Sequence, residues 1–168
     1  MIAVERLLDL PLAELLPLCE ASEREGFRFV RRLIDEWQSG ARRYAGPGEQ
    51  LFGARDGSGG LVGVCGLTRD PYSHDPVVGR LRHLYVLPTH RRTGVGAALV
   101  RVVVAAANPR FEILRLRAAT AGAARLYESL GFTAPQGTPD CTHVMLLGGA
   151  GPGLPPVTPV DAGRRSDV

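Results

Sequence analysis

The stretch from Leu84 to Leu99, LYVLPTHRRTGVGAAL, constrains this chain more than any other. The alternating run that stops at Pro88 reads as a strand, and the glycine-marked run Gly94 to Ala107, closed by Asn108-Pro109, reads as a helix. Only the short loop Thr89 to Thr93 lies between them. A strand that passes through such a loop directly into a helix makes several backbone N–H groups converge at the helix N-terminus, an anion site suited to a phosphate or pyrophosphate. Gly94 and Gly96 allow close approach to the backbone, and Arg91 and Arg92 add positive charge. The plain alternative is a tight turn with solvated arginines. A Rossmann dinucleotide turn fits worse, because it wants G-x-G-x-x-G after the first strand and an acid about 20 residues later. Here Leu99 holds the third glycine position and the turn lies mid-chain.

The flanking pattern is a helical hairpin followed by strands. Leucines at 12, 15 and 16 with Cys19 recur at helical spacing behind Pro11. Ser22 and Glu25 read as a capping box that opens a second helix, with Phe27, Val30, Leu33, Ile34 and Trp37 on one face and Gly40 as its stop. After a loop over Tyr44 to Gln50, the runs Gln50 to Arg55 and Leu61 to Thr68 form a hairpin about the turn Asp56 to Gly60. Arg69 to Pro76 is a surface loop, Arg80 to Leu87 a strand and Phe111 to Arg117 the next. Ala121 to Leu130 is a helix ended by Gly131 and Phe132, and Thr142 to Leu147 is the last strand. The Gly- and Pro-rich remainder, 148 to 168, has almost no apolar periodicity and reads as a flexible tail outside a domain spanning 1 to 147.

Composition removes whole classes of chemistry. All 20 basic residues are Arg, so Schiff-base chemistry, pyridoxal-phosphate attachment and a Walker-type phosphate lysine lack their residue. An Arg-only, Ala-, Gly- and Pro-rich chain is what a GC-rich bacterial genome would encode. The net charge of +3 is mild and evenly spread, which argues against a nucleic-acid partner. Arg101 interrupts the longest apolar stretch, Val95 to Ala107, well short of a membrane span, and Glu5, Arg6 and Asp9 stand where a signal peptide would be apolar. The chain reads as cytoplasmic. Cys19, Cys65 and Cys141 have no metal-ligand spacing, and four scattered histidines suggest no metal site.

The segment Arg91-x-x-Gly94-x-Gly96, after Val86-x-Pro88, resembles the acetyl-CoA signature (R/Q-x-x-G-x-G/A) of the GNAT superfamily of N-acetyltransferases. A second block, Ala123-Ala124-Arg125-Leu126-Tyr127-Glu128-Ser129-Leu130-Gly131-Phe132, is similar to the family's late A-x-x-L-Y-E-x-x-G-F helix. The two occur in the family's order, with a strand between them, and the resemblance covers roughly residues 2 to 147. It implies an α/β fold of mixed α+β type, a single domain with a central, mostly antiparallel, twisted sheet flanked by helices. It also implies acetyl-CoA as cosubstrate, held by backbone groups of Leu84 and Val86 and by the loop of Arg91, Arg92, Thr93, Gly94, Val95, Gly96 and Ala97. Tyr127 would then lie near the thioester sulfur, where a phenol can protonate or stabilise the departing thiolate.

Two positions depart from the family pattern. Thr120 stands where members often carry Asn, seven residues before the helix tyrosine, and keeps a hydrogen-bonding hydroxyl as a cofactor contact. The glutamate that often serves as general base is missing, since the region reads Gly79-Arg80-Leu81-Arg82. Water could take the proton, or His83, His74, Asp75, Glu20, Glu23 or Glu25; His90 reads as a solvated loop residue or a phosphate contact rather than a base. The expected reaction is transfer of an acetyl group to a small-molecule or peptide amine by direct attack in a ternary complex. The competing readings are a non-catalytic acetyl-CoA sensor and acylation of a macromolecule such as a protein amine or an aminoacyl-tRNA. The acceptor, and whether the protein is a homodimer, are not written in the sequence.

Overall fold

The computed structural model describes residues 1–148. The region from 149 onward, which includes nearly all of the expected tail, lies outside the described residues. Six strands form one sheet: β1 (Ala3–Arg6), β2 (Gln50–Arg55), β3 (Leu61–Arg69), β4 (Val78–Val86), β5 (Ile113–Leu116) and β6 (His143–Leu146). They lie in sequence order, and every neighbouring pair is antiparallel except β4 and β5. The helices α1 (Leu12–Arg24), α2 (Phe29–Ser39), α3 (Val95–Ala107) and α4 (Ala121–Ser129) complete the domain. Both the mixed α/β architecture and the mostly antiparallel sheet are as expected.

The sheet separates two apolar clusters. Leu15, Leu18, Val30, Leu33 and Ile34 of α1 and α2 pack with Leu51, Val64 and Tyr85. Val95, Leu99, Val100 and Val103 of α3 pack with Phe52, Leu67, Leu114, Tyr127 and Phe132. The central strand β3 is buried from Leu61 to Thr68, which explains why it reads as a nearly continuous apolar run.

Two sequence expectations are corrected. The edge strand β1 was not anticipated: four mostly exposed residues carry no period strong enough to show it. Ser22 and Glu25 do not open α2. Ser22 is buried inside α1, its hydroxyl donating to the Cys19 carbonyl at 2.8 Å, and the Ser22–Phe27 segment closes α1. The Phe27 amide donates to the Ser22 carbonyl and the Gly26 amide to that of Glu23, a Schellman end with Gly26 at φ +84°. A serine mid-helix that bonds back to a carbonyl three residues earlier looks, in sequence, like a helix start. Strand and helix limits elsewhere agree to within about two residues, β4 beginning at Val78 rather than Arg80.

Tyr44 wedges between the helical layer and β3. Its ring is buried, and a Cβ built on Gly66 would lie 2.8 Å from Tyr44 Cε1, so this glycine is required by close approach. Gly66→Ala is expected to lower stability by about 1–3 kcal/mol through overpacking. A urea titration should show an earlier midpoint with an unchanged slope; an unchanged midpoint would mean that the ring moves aside freely.

Candidate active site

The site starts from an irregularity in β4. Val64 of β3 faces Tyr85 while Gly66 faces Arg82, so His83 and Leu84 together oppose the single residue Cys65. His83 takes φ +57°, a left-handed conformation that side chains rarely adopt. On the other side β4 pairs with the parallel β5 only from Val78 to Arg80. From Leu81 onward β4 is unpaired with β5, and the residues past that point line a cleft. One half is a cavity of about 430 Å³ lined by Leu84, Val86, Arg91, Arg92, Gly94, Gly96, Ala97 and the start of α4. The other, of about 500 Å³, is lined by Arg80, Arg82, His83, Arg117, Phe29 of α2 and Tyr127. The halves share Phe29, Leu84, Ala119 and Ala123.

In the first half, a 3-10 turn over Pro88–His90 is followed by Arg92 at φ +61° and Gly94 at φ +88°. Among the described residues the backbone amides of 92 to 97 donate to no main-chain carbonyl, and the first closed bond of α3 runs from the Ala98 amide to the Gly94 carbonyl at 2.9 Å. These donors sit at the positive end of a 13-residue helix. A Cβ on Gly94 would enter open space, so that glycine is required by its φ, whereas one on Gly96 would stand 3.2 Å from Leu126 Cδ2 of α4. Val95 is buried beneath the turn, and the Thr93 hydroxyl donates to the His90 carbonyl at 2.6 Å. Thr120 caps α4, its hydroxyl oxygen accepting the Ala123 amide at 3.0 Å, and lines the same half.

Arg91 is already engaged. Its guanidinium donates to both Glu25 carboxylate oxygens at 2.6 and 2.7 Å and through Nε to the Val86 carbonyl at 3.0 Å. The Tyr85 hydroxyl donates to the same carboxylate at 2.6 Å. Arg91 holds the Glu25 carboxyl below the usual range, with Tyr85 helping, which makes Glu25 a tether between the α1–α2 junction and the loop rather than a proton acceptor.

Tyr127 belongs to the second half. The end of α4 repeats the Schellman pattern of α1, the Phe132 amide donating to the Tyr127 carbonyl and Gly131 standing at φ +100°. The closure stacks the two rings edge to face, with centroids 5.6 Å apart. Burial pushes the Tyr127 phenol well above its ordinary value, so it remains a proton donor at neutral pH.

The candidate bases separate clearly. His74 and Asp75 are exposed in the 69–77 loop, Glu20 is exposed on α1, and Glu23 is bound to Arg31 at 2.9 Å. Of these residues His83 lines the second half. Its side chain is only 3% exposed, and neither ring nitrogen has a hydrogen-bond partner. The nearest carboxylate oxygen, Glu36 Oε2, is 3.9 Å away and equally unpartnered. Burial first, then the positive charges of Arg82, Arg32 and Arg42, press the His83 pKa down to about 3, against a weak backbone contact with Phe29 that falls outside hydrogen-bond geometry. Arg32 and Glu36, one helical turn apart on the face of α2 that begins with Phe29, were not singled out from sequence. Their i, i+4 spacing was the available signal. Cys19, Cys65 and Cys141 are buried free thiols. Among the described residues no cluster of three potential ligands could hold a metal ion, and no helix is long and apolar enough to cross a membrane.

A helix start with free amides and a buried phenol thus line two halves of one cleft. The family model of the acetyltransferase (GNAT) domain matches residues 47–134. No curated protein sequence matches. Among solved structures, a protein of Exiguobacterium sp. 255-15 described as an acetyltransferase superposes with a TM-score of 0.78 at 27% identity, covering 87% of this chain and 93% of that one. The ribosomal-protein-S18-alanine N-acetyltransferase of Escherichia coli gives 0.65 at 20% identity, covering 92% and 99%. A GCN5-related N-acetyltransferase from Kribbella flavida gives 0.67 at 21% identity, covering 85% and 95%. The chain belongs to the GNAT family and is an acyltransferase, of a kind that draws its acyl group from acetyl-CoA or another acyl-CoA.

The His83 environment gives a pH test. The unfolded chain takes up a proton below its ordinary value of 6.5 that the folded chain refuses until about pH 3. The stability due to neutral His83 is therefore complete above pH 6.5 and declines as the pH falls toward 3. Between pH 7 and pH 5 the loss amounts to about 2 kcal/mol. Denaturant titrations at the two pH values should show His83→Gln losing less stability than the wild type; equal losses would contradict the burial argument.

Proposed function

We propose that the protein transfers an acetyl group from acetyl-CoA to the nitrogen of an amine, by direct attack while both substrates are bound. The observation that carries this reading is the joining of two halves of one cleft. Six unclaimed amides, 92 to 97, open on one side and the Tyr127 phenol on the other. The residues present suit the cosubstrate: the amides from Arg92 to Ala97 would hold its diphosphate, with Arg91 and Thr120 beside it, and Leu84 and the Val86 amide lie past the last residue that β5 pairs. Acetyl-CoA supplies an activated thioester. The amine nitrogen forms a bond to the carbonyl carbon, the carbon–sulfur bond breaks, the Tyr127 hydroxyl gives the leaving sulfur its proton and regains one from water, and the surplus proton on the nitrogen passes to water.

The amine must also shed a proton. A group with a pKa near 3 is a weak base at neutral pH, so His83 is not assigned that task. The guanidiniums of the second half favour the neutral form of a nearby amine, because like charges disfavour an ammonium, and water takes the proton. The cytoplasm is the proposed location.

Tyr127→Phe tests the assignment. It keeps the ring that packs on Phe132 and removes the donor. The expected result is a fall in kcat of about 10- to 10⁴-fold, with acetyl-CoA affinity by calorimetry nearly constant. Wild-type turnover in the variant would remove the general-acid role.

A further inference from the structure

The second half of the cleft carries a charge that acetyl transfer alone does not require. Arg32, Arg80, Arg82 and Arg117 all line it, and no carboxylate does. Arg80 is buried; its guanidinium donates to the Asp140 carbonyl at 2.8 Å and pairs at 3.4 Å with the buried Asp70, which it shares with Arg115. Arg82 reaches Glu36 at 3.5 Å, which also lies 4.0 Å from Arg42. Arg117 meets only the Pro139 carbonyl, at 3.0 Å, and among the described residues neither it nor Arg32 has a carboxylate within 4.0 Å. His83, buried in the same lobe with both ring nitrogens unpartnered, adds a neutral donor. At the rim the exposed Tyr72 ring lies under Arg80, 4.8 Å from guanidinium carbon to centroid.

We propose that the acceptor is an amine that also carries an oxyanion, a carboxylate or a phosphate, and that the arginines of this lobe hold that group. Arginine's planar fork is suited to both anions, and a partly enclosed site strengthens the attraction over that in water. The same field rejects polyamines and lysine-rich peptides. A cavity of about 500 Å³ takes a small molecule or the end of a peptide. The inference rests on the N-acetyl transfer reading, and it fixes the class of acceptor that reading leaves open.

The test uses matched pairs that differ in the anion alone: phenylalanine against phenylalaninamide for the carboxylate, O-phosphoethanolamine against ethanolamine for the phosphate, with spermidine as a polycation. Binding to the acetyl-CoA complex is measured by calorimetry, and turnover by thiol release. The expected result is tighter binding of the anionic member in at least one pair, by about 10- to 100-fold. The pair that discriminates names the anion. Arg32→Gln with Arg117→Gln should shrink that ratio several-fold, mainly through KM, because these side chains hold the substrate. Equal binding within both pairs, preference for spermidine, or no binding of either anionic amine would overturn the proposal. Discriminating binding without acetylation would support the anion site and count against N-acetyl transfer; acetylation of the uncharged members at equal efficiency would do the reverse.

Discussion

His83 and Leu84 share one partner on β3, and His83 takes a left-handed backbone there. β5 pairs with β4 only as far as Arg80, so Leu84 and Val86 lie beyond that parallel ladder, and both line the cleft. From them the chain runs through the Pro88 turn into α3. The amides of that helix start and the buried phenol share one cleft because the sheet splits.

The split is held by packing on both faces. Gly66, beside the bulge, admits the Tyr44 ring, and Gly63 lies against Leu99 of α3, where a Cβ would stand 3.0 Å from Leu99 Cδ1. Non-glycine residues in the left-handed region cost on the order of 1–2 kcal/mol each. Three stand among the described residues, Tyr44, His83 and Arg92, and each adjoins the bulge or the turn before α3. Glu25 ties the layers together, since its carboxylate joins the end of α1 to Arg91 of the turn and to Tyr85 of β4.

Much of this was legible in the sequence where chemistry is local. The glycines and proline around Arg91 announce a strand, a turn and a helix start, and Gly131-Phe132 announces the closure that sets the Tyr127 ring. Local signals also misled: Ser22 and Glu25 have the spacing of a helix opening, yet serve a helix end and a cross-layer ion pair. The arginine-lined half of the cleft was illegible because its arginines come from α2, β4 and the residue after β5, up to 85 positions apart between Arg32 and Arg117. No period connects them; the bulge does. An extra residue in one strand leaves the apolar pattern almost unchanged, so the feature that opens the cleft is also the hardest to read.

The proposed function requires that the amides at the start of α3 anchor the CoA ester. Amide hydrogen exchange with and without acetyl-CoA tests it directly, residue by residue. The account predicts that residues 92 to 97 exchange rapidly in the free protein and at least about tenfold more slowly in the complex, with Leu84 and Val86 slowed beside them and β1 unaffected. Saturating acetyl-CoA that leaves residues 92 to 97 exchanging as before would contradict it.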